Sequence, residues 1–194
     1  MSTFSKEGPW KINNFGIVKI DNIKKEAIQY VDEWLIDISR QKTYQTHEDT
    51  FMYQLKELDY NWNMIDKVKS TSPNNLKTKD ANYEIKKIYD KLELLVQGKV
   101  VRSELINMNP NSRIRAHKDR GDLLYISRRF HVPIFTNSKC VFIVEKEYFH
   151  LEEANVYELN NRKYHAVENF SDENRIHLII DVLPHEYTRN IEFV

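Results

Sequence analysis

The chain has 194 residues, of which 30% are charged, and its 29 basic and 29 acidic side chains cancel to a formal net charge of zero. That length suits one domain with a sizeable core, and the balance of charge gives no electrostatic case for nucleic acid or an anionic membrane as a partner. The lone cysteine, Cys140, excludes an internal disulfide framework and suits a reducing compartment; in the apolar run Cys140–Val144 it reads as a buried, inert thiol.

Residues 1–7 lack the apolar stretch of a signal peptide, and no run approaches membrane-spanning length. The expectation is a soluble, cytoplasmic protein. Residues 15–20 read as an opening strand that ends at the polar pair Asp21-Asn22. From there Ile23, Ala27, Ile28, Val31, Trp34, Leu35 and Ile38 recur every three or four residues, which predicts an amphipathic helix behind an Asx cap. Residues 41–78 read as irregular and polar, anchored by Leu55, Leu58, Tyr60 and Trp62. A second helix is predicted from 81 to 96, with Tyr83, Ile85, Ile88, Tyr89, Leu92, Leu94 and Leu95 on its apolar side and Gly98 as its stop.

Beyond Gly98 the apolar period changes to two. Strands are predicted at 100–107, 112–118, 129–135, 140–146, 155–159, 164–168 and 175–182. They are broken by Asn109-Pro110-Asn111, Gly121-Asp122, Thr136-Asn137-Ser138 and residues 171–174. Only four glycines occur, so asparagine is expected to carry many turns, among them Asn13-Asn14, Asn74-Asn75 and Asn160-Asn161. The pattern implies an α+β, mainly β chain: a mainly helical part over 1–98, then a jelly-roll of two facing sheets over 99–185 with the helices packed on one sheet. Residues 97–101 hold no Pro- or Ser-rich linker, so one domain across 1–194 is expected.

The chemistry lies in His117-Lys118-Asp119, followed by His165 forty-six residues after that Asp and by Arg175 ten residues further on. Two imidazoles and a carboxylate can occupy one face of an octahedral Fe(II) and leave three positions open for a co-substrate and dioxygen. An arginine soon after the second histidine supplies a planar, permanently charged fork suited to the far end of a dicarboxylic acid. An isolated H-x-D is weak evidence, because chance supplies it often; the order and spacing of all four residues carry the signal. The blander alternative makes His117 and Asp119 surface turn residues and His165 a satisfied edge histidine. Arg113, Arg115, Lys118 and Arg120 flank the site and fit an anionic substrate as well as they fit phosphate.

The stretch from about Arg102 to His185 resembles the aspartyl/asparaginyl β-hydroxylase family of 2-oxoglutarate oxygenases, which includes free-proline hydroxylases. The matching stretches run from Asn109-Pro110 to His117-Lys118-Asp119, and through Arg129-Phe130-His131-Val132-Pro133-Ile134 with Thr136-Asn137. They continue with His165-Ala166-Val167-Glu168-Asn169 and residues 175–182. The resemblance implies a double-stranded β-helix, cupin-like core, with His117, Asp119 and His165 as iron ligands. It implies that Arg175 grips the distal carboxylate of 2-oxoglutarate and that His131 helps to hold the carboxylate near the metal. Asp119 matches the proline-hydroxylating members; the animal aspartyl hydroxylases have Gly there. Arg129, on the same strand face as His131, is a candidate to bind an acidic group of the substrate, or else a solvent-facing strand residue. Two departures stand out: Pro110-Asn111 in place of a Pro-Gly turn, and Glu153-Ala154 in place of a late Gly turn.

The implied activity is an Fe(II)- and 2-oxoglutarate-dependent dioxygenase that hydroxylates an amino acid, free or within a peptide or protein, of Asp/Asn or Pro type, with release of succinate and carbon dioxide. Dioxygen is the expected second partner; nucleic acid and membrane are not expected. The alternatives are a non-catalytic cupin-like binding module and an oxygenase acting on another small molecule. His177 shares strand parity with Arg175 but reads as a packed strand histidine. His47 reads as a solvated loop residue, with a lid over the site as its functional alternative. His150 and His185 have no partner that spacing reveals.

Overall fold

A computed structural model of the chain describes residues 8–34, 49–59, 68–71, 75–188 and 191–193. His47, Tyr60, Trp62, Asn74 and the predicted helical positions Leu35 and Ile38 lie outside the described residues.

The described elements in chain order are β1 (Ile12–Ile17), α1 (Asp21–Trp34), β2 (Thr50–Asp59), β3 (Val68–Thr71), α2 (Lys79–Val96), β4 (Gly98–Met108) and β5 (Ser112–His117). There follow α3 (Asp122–Ile126), β6 (Arg128–Phe135), β7 (Cys140–Val144), β8 (Glu147–Phe149), β9 (Asn155–Leu159), β10 (His165–Asn169), β11 (Arg175–Pro184) and β12 (Ile191–Phe193). One sheet has eight strands in the order β1-β9-β6-β11-β4-β2-β3-β12; the other has four, β5-β10-β7-β8. All pairings are antiparallel except β12 with β3. The architecture is the mainly β jelly-roll that the alternating pattern implies.

Alternation along the strands divides the apolar residues into two layers. One layer sits between the sheets and gathers Met108, Ile114, Phe142, Val144, Tyr157, Leu159 and Val167. The other lies on the far side of the large sheet. There Leu105, Phe130, Val132, Ile134, Leu178 and Ile180 meet Ile23 and Ala27 of α1 and Ile85, Ile88 and Leu92 of α2. The helices thus back the sheet whose opposite face looks toward the small sheet.

A glutamate of each helix binds the start of the other: Glu84 caps α1, and Glu26 anchors Thr78, the N-cap of α2. Glu84 of α2 accepts hydrogen bonds from the backbone N–H groups of Asn22 (2.8 Å) and Ile23 (3.1 Å) and from the Asn22 amide (2.8 Å), at the start of α1. Glu26 of α1 accepts from Thr78 N–H (2.9 Å), Thr78 Oγ1 (2.8 Å) and the Lys77 N–H, at the start of α2. The cap expected of Asp21-Asn22 is therefore supplied from a distant helix. A buried carboxylate is tolerable here because several orphan donors and the positive end of a helix dipole surround it.

Four local expectations need correction. The opening strand lies at Ile12–Ile17, because Asn14 Oδ1 accepts from Gly16 N–H (2.8 Å), Gly16 turns to φ 81°, and the chain leaves the sheet before residue 20. Within 41–78, read as irregular, lie β2 and β3; β2 pairs along β4 and extends the large sheet. The left-handed residue closing α2 is Gln97 (φ 53°), whereas Gly98 opens β4, where any Cβ would collide with the carbonyl of Leu183. The short elements α3 and β8 carry too few periodic residues to register in the pattern. Asn111 and Ala154 take the left-handed conformation (φ 50° and 63°) at the two turns that depart from the family's glycines. Asparagine tolerates that conformation well, while alanine pays about 1 kcal/mol for it.

The buried, multiply bonded Glu84 yields a direct prediction. Glu84→Ala strands the α1 donors and should lower unfolding stability in urea by roughly 2–3 kcal/mol without changing the dependence on denaturant.

Candidate active site

His117 ends β5 and His165 begins β10, and the two are direct cross-strand partners with ring centroids 4.4 Å apart. Their meeting depends on a bulge. Along β10, His165 and Val167 are two residues apart, but they face His117 and Ile114, which are three apart. In a regular strand Ile114 and His117 would point to opposite faces; the extra residue re-aims His117 to the inner side alongside Ile114.

Asp119 follows in the irregular segment after β5, held by a hydrogen bond from its N–H to the carbonyl of Asn161 (3.1 Å). Its Oδ1 lies 3.7 Å from His117 Nε2 and 3.8 Å from His165 Nε2. One ligand atom from each of the three residues falls within 4.8 Å of the others. The Nδ1 atoms point away, to the carbonyls of Arg115 (2.8 Å) and Lys163 (3.0 Å). A carbonyl can only accept, so each ring carries its proton on Nδ1 and presents the Nε2 lone pair to the shared centre. Burial lowers the His165 pKa and so favours the neutral, ligating form. Donors about 2.1 Å from a divalent ion, at right angles, sit about 3 Å apart, so each histidine needs to close on Asp119 by less than about 1 Å.

The other oxygen of Asp119 is engaged. Arg129 of β6 donates from Nη1 to Asp119 Oδ2 (2.6 Å) and forks onto Asp181 of β11 through Nε and Nη2 (both 2.8 Å). Burial alone would raise the Asp119 carboxyl, but Arg129, then His165 and His117, outweigh it and hold it far below the usual carboxylate range. For Arg129 burial likewise opposes the charge, and Asp119 and Asp181 more than restore it. Asp119 is thereby left with Oδ1 facing the two imidazoles.

Deeper between the sheets lies a second cluster. Arg175 is buried, with its guanidinium 5.0 Å over the Phe142 ring, and its Nη2 meets His177 Nδ1 at 2.7 Å. Neither contact is a carboxylate, and burial pulls the Arg175 pKa down to about 9. His131 packs edge-on against Phe142 (5.3 Å) and His177 (6.0 Å). Both ring nitrogens of His131, and Nε2 of His177, are buried without a hydrogen-bond partner among the described residues. Burial first, then neighbouring positive charge, lowers both histidines well below 6.5. Unsatisfied buried polar atoms are rare in folded proteins. A cation and several orphan nitrogens beside a carboxylate-bisimidazole cluster fit an anionic ligand reaching toward a metal.

The structure thus brings His117, Asp119 and His165 together, and sets Arg129, His131 and Arg175 on the inner face of the large sheet. Asp181, Asn161 and the polar role of His177 escaped the sequence reading. Asp181 left a faint signal, since it alternates in phase with Arg175 and His177 along an otherwise apolar strand. Cys140 is buried, its thiol donating to Asn169 Oδ1 (3.3 Å). His150 meets the carbonyl of Cys140 at 3.2 Å. Among the described residues no helix is long and apolar enough to cross a membrane.

A double-stranded β-helix with an H-x-D…H cluster between its sheets defines the general class. The aspartyl/asparaginyl β-hydroxylase family pattern matches residues 19–184, and the chain belongs to that family. It is 29% identical over 94 residues to an L-proline cis-4-hydroxylase of Rhizobium meliloti (strain 1021), a match covering 46% of this chain and 34% of that protein. The chain therefore spans about a third of the length of the curated relative it matches. Among solved structures, the collagen prolyl hydroxylase vCPH of Paramecium Bursaria Chlorella virus-1 superposes with a TM-score of 0.57 at 8% identity, over 90% of this chain and 96% of that one. AviO1 of Streptomyces viridochromogenes Tue57 gives 0.57 at 11% identity over 90% of each chain. A 2OG-Fe(II) oxygenase family oxidoreductase of Burkholderia pseudomallei gives 0.51 at 11% identity, over 87% of this chain and 93% of that one. At these identities the likeness establishes a shared fold.

Two outcomes follow from this geometry. Asp181→Asn removes the charge that splits the Arg129 fork and should weaken Mn(II) binding about 10–100-fold by calorimetry, as loss of an outer-shell partner does. Acid should also destabilise the metal-free protein. His131 and His177 are neutral in the fold but protonate below about pH 6.5 when unfolded, so stability is intact above 6.5 and falls with decreasing pH. Each contributes a slope of about 1.4 kcal/mol per pH unit between 6.5 and its folded pKa. Urea titrations from pH 7 to 5 should show that slope reduced by one such increment in His131→Gln.

Proposed function

We propose that this chain is an Fe(II)- and 2-oxoglutarate-dependent oxygenase that hydroxylates an amino acid, free or within a peptide or protein, with proline or an Asp/Asn side chain as the target. The observation that carries this reading is the convergence of two Nε2 lone pairs and one carboxylate oxygen beside a buried arginine with no carboxylate partner among the described residues. His117, Asp119 and His165 would hold the metal, and three protein ligands leave room for co-substrate and dioxygen. Bound iron, with 2-oxoglutarate and dioxygen, supplies the oxidising chemistry that couples formation of succinate and carbon dioxide to hydroxylation of a substrate C–H bond.

The residues of the chain bind, orient and exclude water. Arg175 would fix the far carboxylate of the co-substrate, and His131 would meet its metal-side carboxylate with one of its orphan nitrogens. Arg129 has a different role from the one expected of it. With Nε, Nη1 and Nη2 all engaged by Asp181 and Asp119, it positions the carboxylate ligand instead of binding an acidic group of the substrate. The exposed Arg113, Arg115, Lys118 and Arg120 flank His117 and suit the anionic end of an amino acid. The L-proline cis-4-hydroxylase relative, and the presence of Asp at 119, support the proline-type target over the animal aspartyl type.

The test is succinate release from 2-oxoglutarate with Fe(II) and ascorbate under air, against a panel of amino acids and peptides that includes free L-proline. Wild type should release succinate with at least one substrate. His165→Ala should fall by more than about a hundredfold, since losing a ligand exceeds the loss of an outer-shell partner. Arg175→Leu should raise the KM for 2-oxoglutarate roughly 10–100-fold, the worth of a charge-assisted hydrogen bond. Equal release from wild type and His165→Ala would remove the enzyme reading.

A further inference from the structure

Arg175 and His177 stand two residues apart on β11 and share its inner face. Both are buried, at 3% and 1% exposure. The contact between them settles a proton. Arginine has only donors, so the 2.7 Å approach of Nη2 to His177 Nδ1 makes Nδ1 the acceptor. The ring is held neutral by burial and by Arg175, so its one N–H is on Nε2. That Nε2–H has no hydrogen-bond partner among the described residues. It sits in the polar cluster closed by Phe142, whose ring stacks on His177 at 5.9 Å and 23°, and by His131 at 6.0 Å.

A buried donor left without an acceptor costs about 1–3 kcal/mol, and a buried guanidinium without a counter-anion costs more. Here the two defects are adjacent and share a remedy, an anion with two acceptor oxygens. We propose that His177 is a co-substrate-binding residue: it donates Nε2–H to the distal carboxylate that Arg175 holds, and Arg175 itself sets the tautomer that makes this possible. The proposal rests on the 2-oxoglutarate reading above and assigns a second donor to it. It also explains a polar side chain in the middle of the apolar run Ile176-His177-Leu178-Ile179-Ile180.

The proposal is tested by binding to the Mn(II)-loaded protein, with 2-oxoglutarate compared with 2-oxobutyrate, which keeps the keto acid and lacks the distal carboxylate. His177→Phe should weaken 2-oxoglutarate about 10–100-fold and 2-oxobutyrate less than about threefold. His177→Gln, whose amide can accept from Arg175 and donate onward, should recover most of the loss. Equal weakening of both ligands, or unchanged 2-oxoglutarate affinity in His177→Phe, overturns the proposal. Should wild type bind neither ligand, the oxygenase reading fails first and takes this inference with it.

A second measurement needs no variant. Long-range 1H–15N correlation on the Zn(II)-loaded wild type should show His177 as the Nε2–H tautomer, with that proton shifting downfield on saturation with 2-oxoglutarate. An Nδ1–H tautomer, or an Nε2–H signal unmoved at saturation, contradicts it.

Discussion

The pairing of β5 with β10 is the constraint on which the site depends. It sets His117 opposite His165, and the bulge between the Ile114–Val167 and His117–His165 pairs turns His117 inward. Antiparallel neighbours approach to about 5 Å, near the distance two ligands of one ion require once their side chains lean together. The carbonyls of Arg115 and Lys163 then fix both ring tautomers. Backbone register thus does most of the work of aiming the imidazoles, and the small sheet is held in place by the apolar layer beneath it.

Asp119 needs a different device, because it lies beyond the end of β5. Arg129 restrains it, and Asp181 restrains Arg129, across the β6–β11 pair where Arg129 and Asp181 are direct partners. A buried ion-pair chain contributes little net stability, because desolvation offsets most of the attraction. Its value here is directional: one carboxylate oxygen is engaged, and the other faces the histidines. The helical layer contributes from behind. Glu26 and Glu84 tie α1 to α2, and the pair packs on the outer side of the sheet whose inner face carries Arg129, His131, Arg175 and His177.

Much of this was legible in the sequence. The seven strands expected after Gly98 all occur, and over the described residues the two helices appear where they were expected, because the change of period from 3.6 to two is a strong signal. The H-x-D…H…R order named residues that the fold gathers around one region. The rest was hidden for physical reasons. β2 and β3 read as polar loop because Gln54, Lys56, Glu57 and Asp59, then Lys69, Ser70 and Thr71, leave no clean period-two apolar pattern. The bulge in β5 leaves no mark in composition. The engagement of Arg129 by two carboxylates depends on cross-strand register, which strand parity alone does not supply. His177 looked like a packed histidine since sequence shows neither the Arg175 contact nor the orphan nitrogen beyond it.

The proposed oxygenase chemistry requires that two imidazoles of this chain bind one divalent ion. Electron spin-echo envelope modulation of the Mn(II)-loaded protein counts the nitrogens coupled to the metal directly. The expected spectrum shows one ion per chain with two equivalent imidazole couplings, reduced to one in His117→Gln. A spectrum without nitrogen coupling, or one that His117→Gln leaves unaltered, would contradict it.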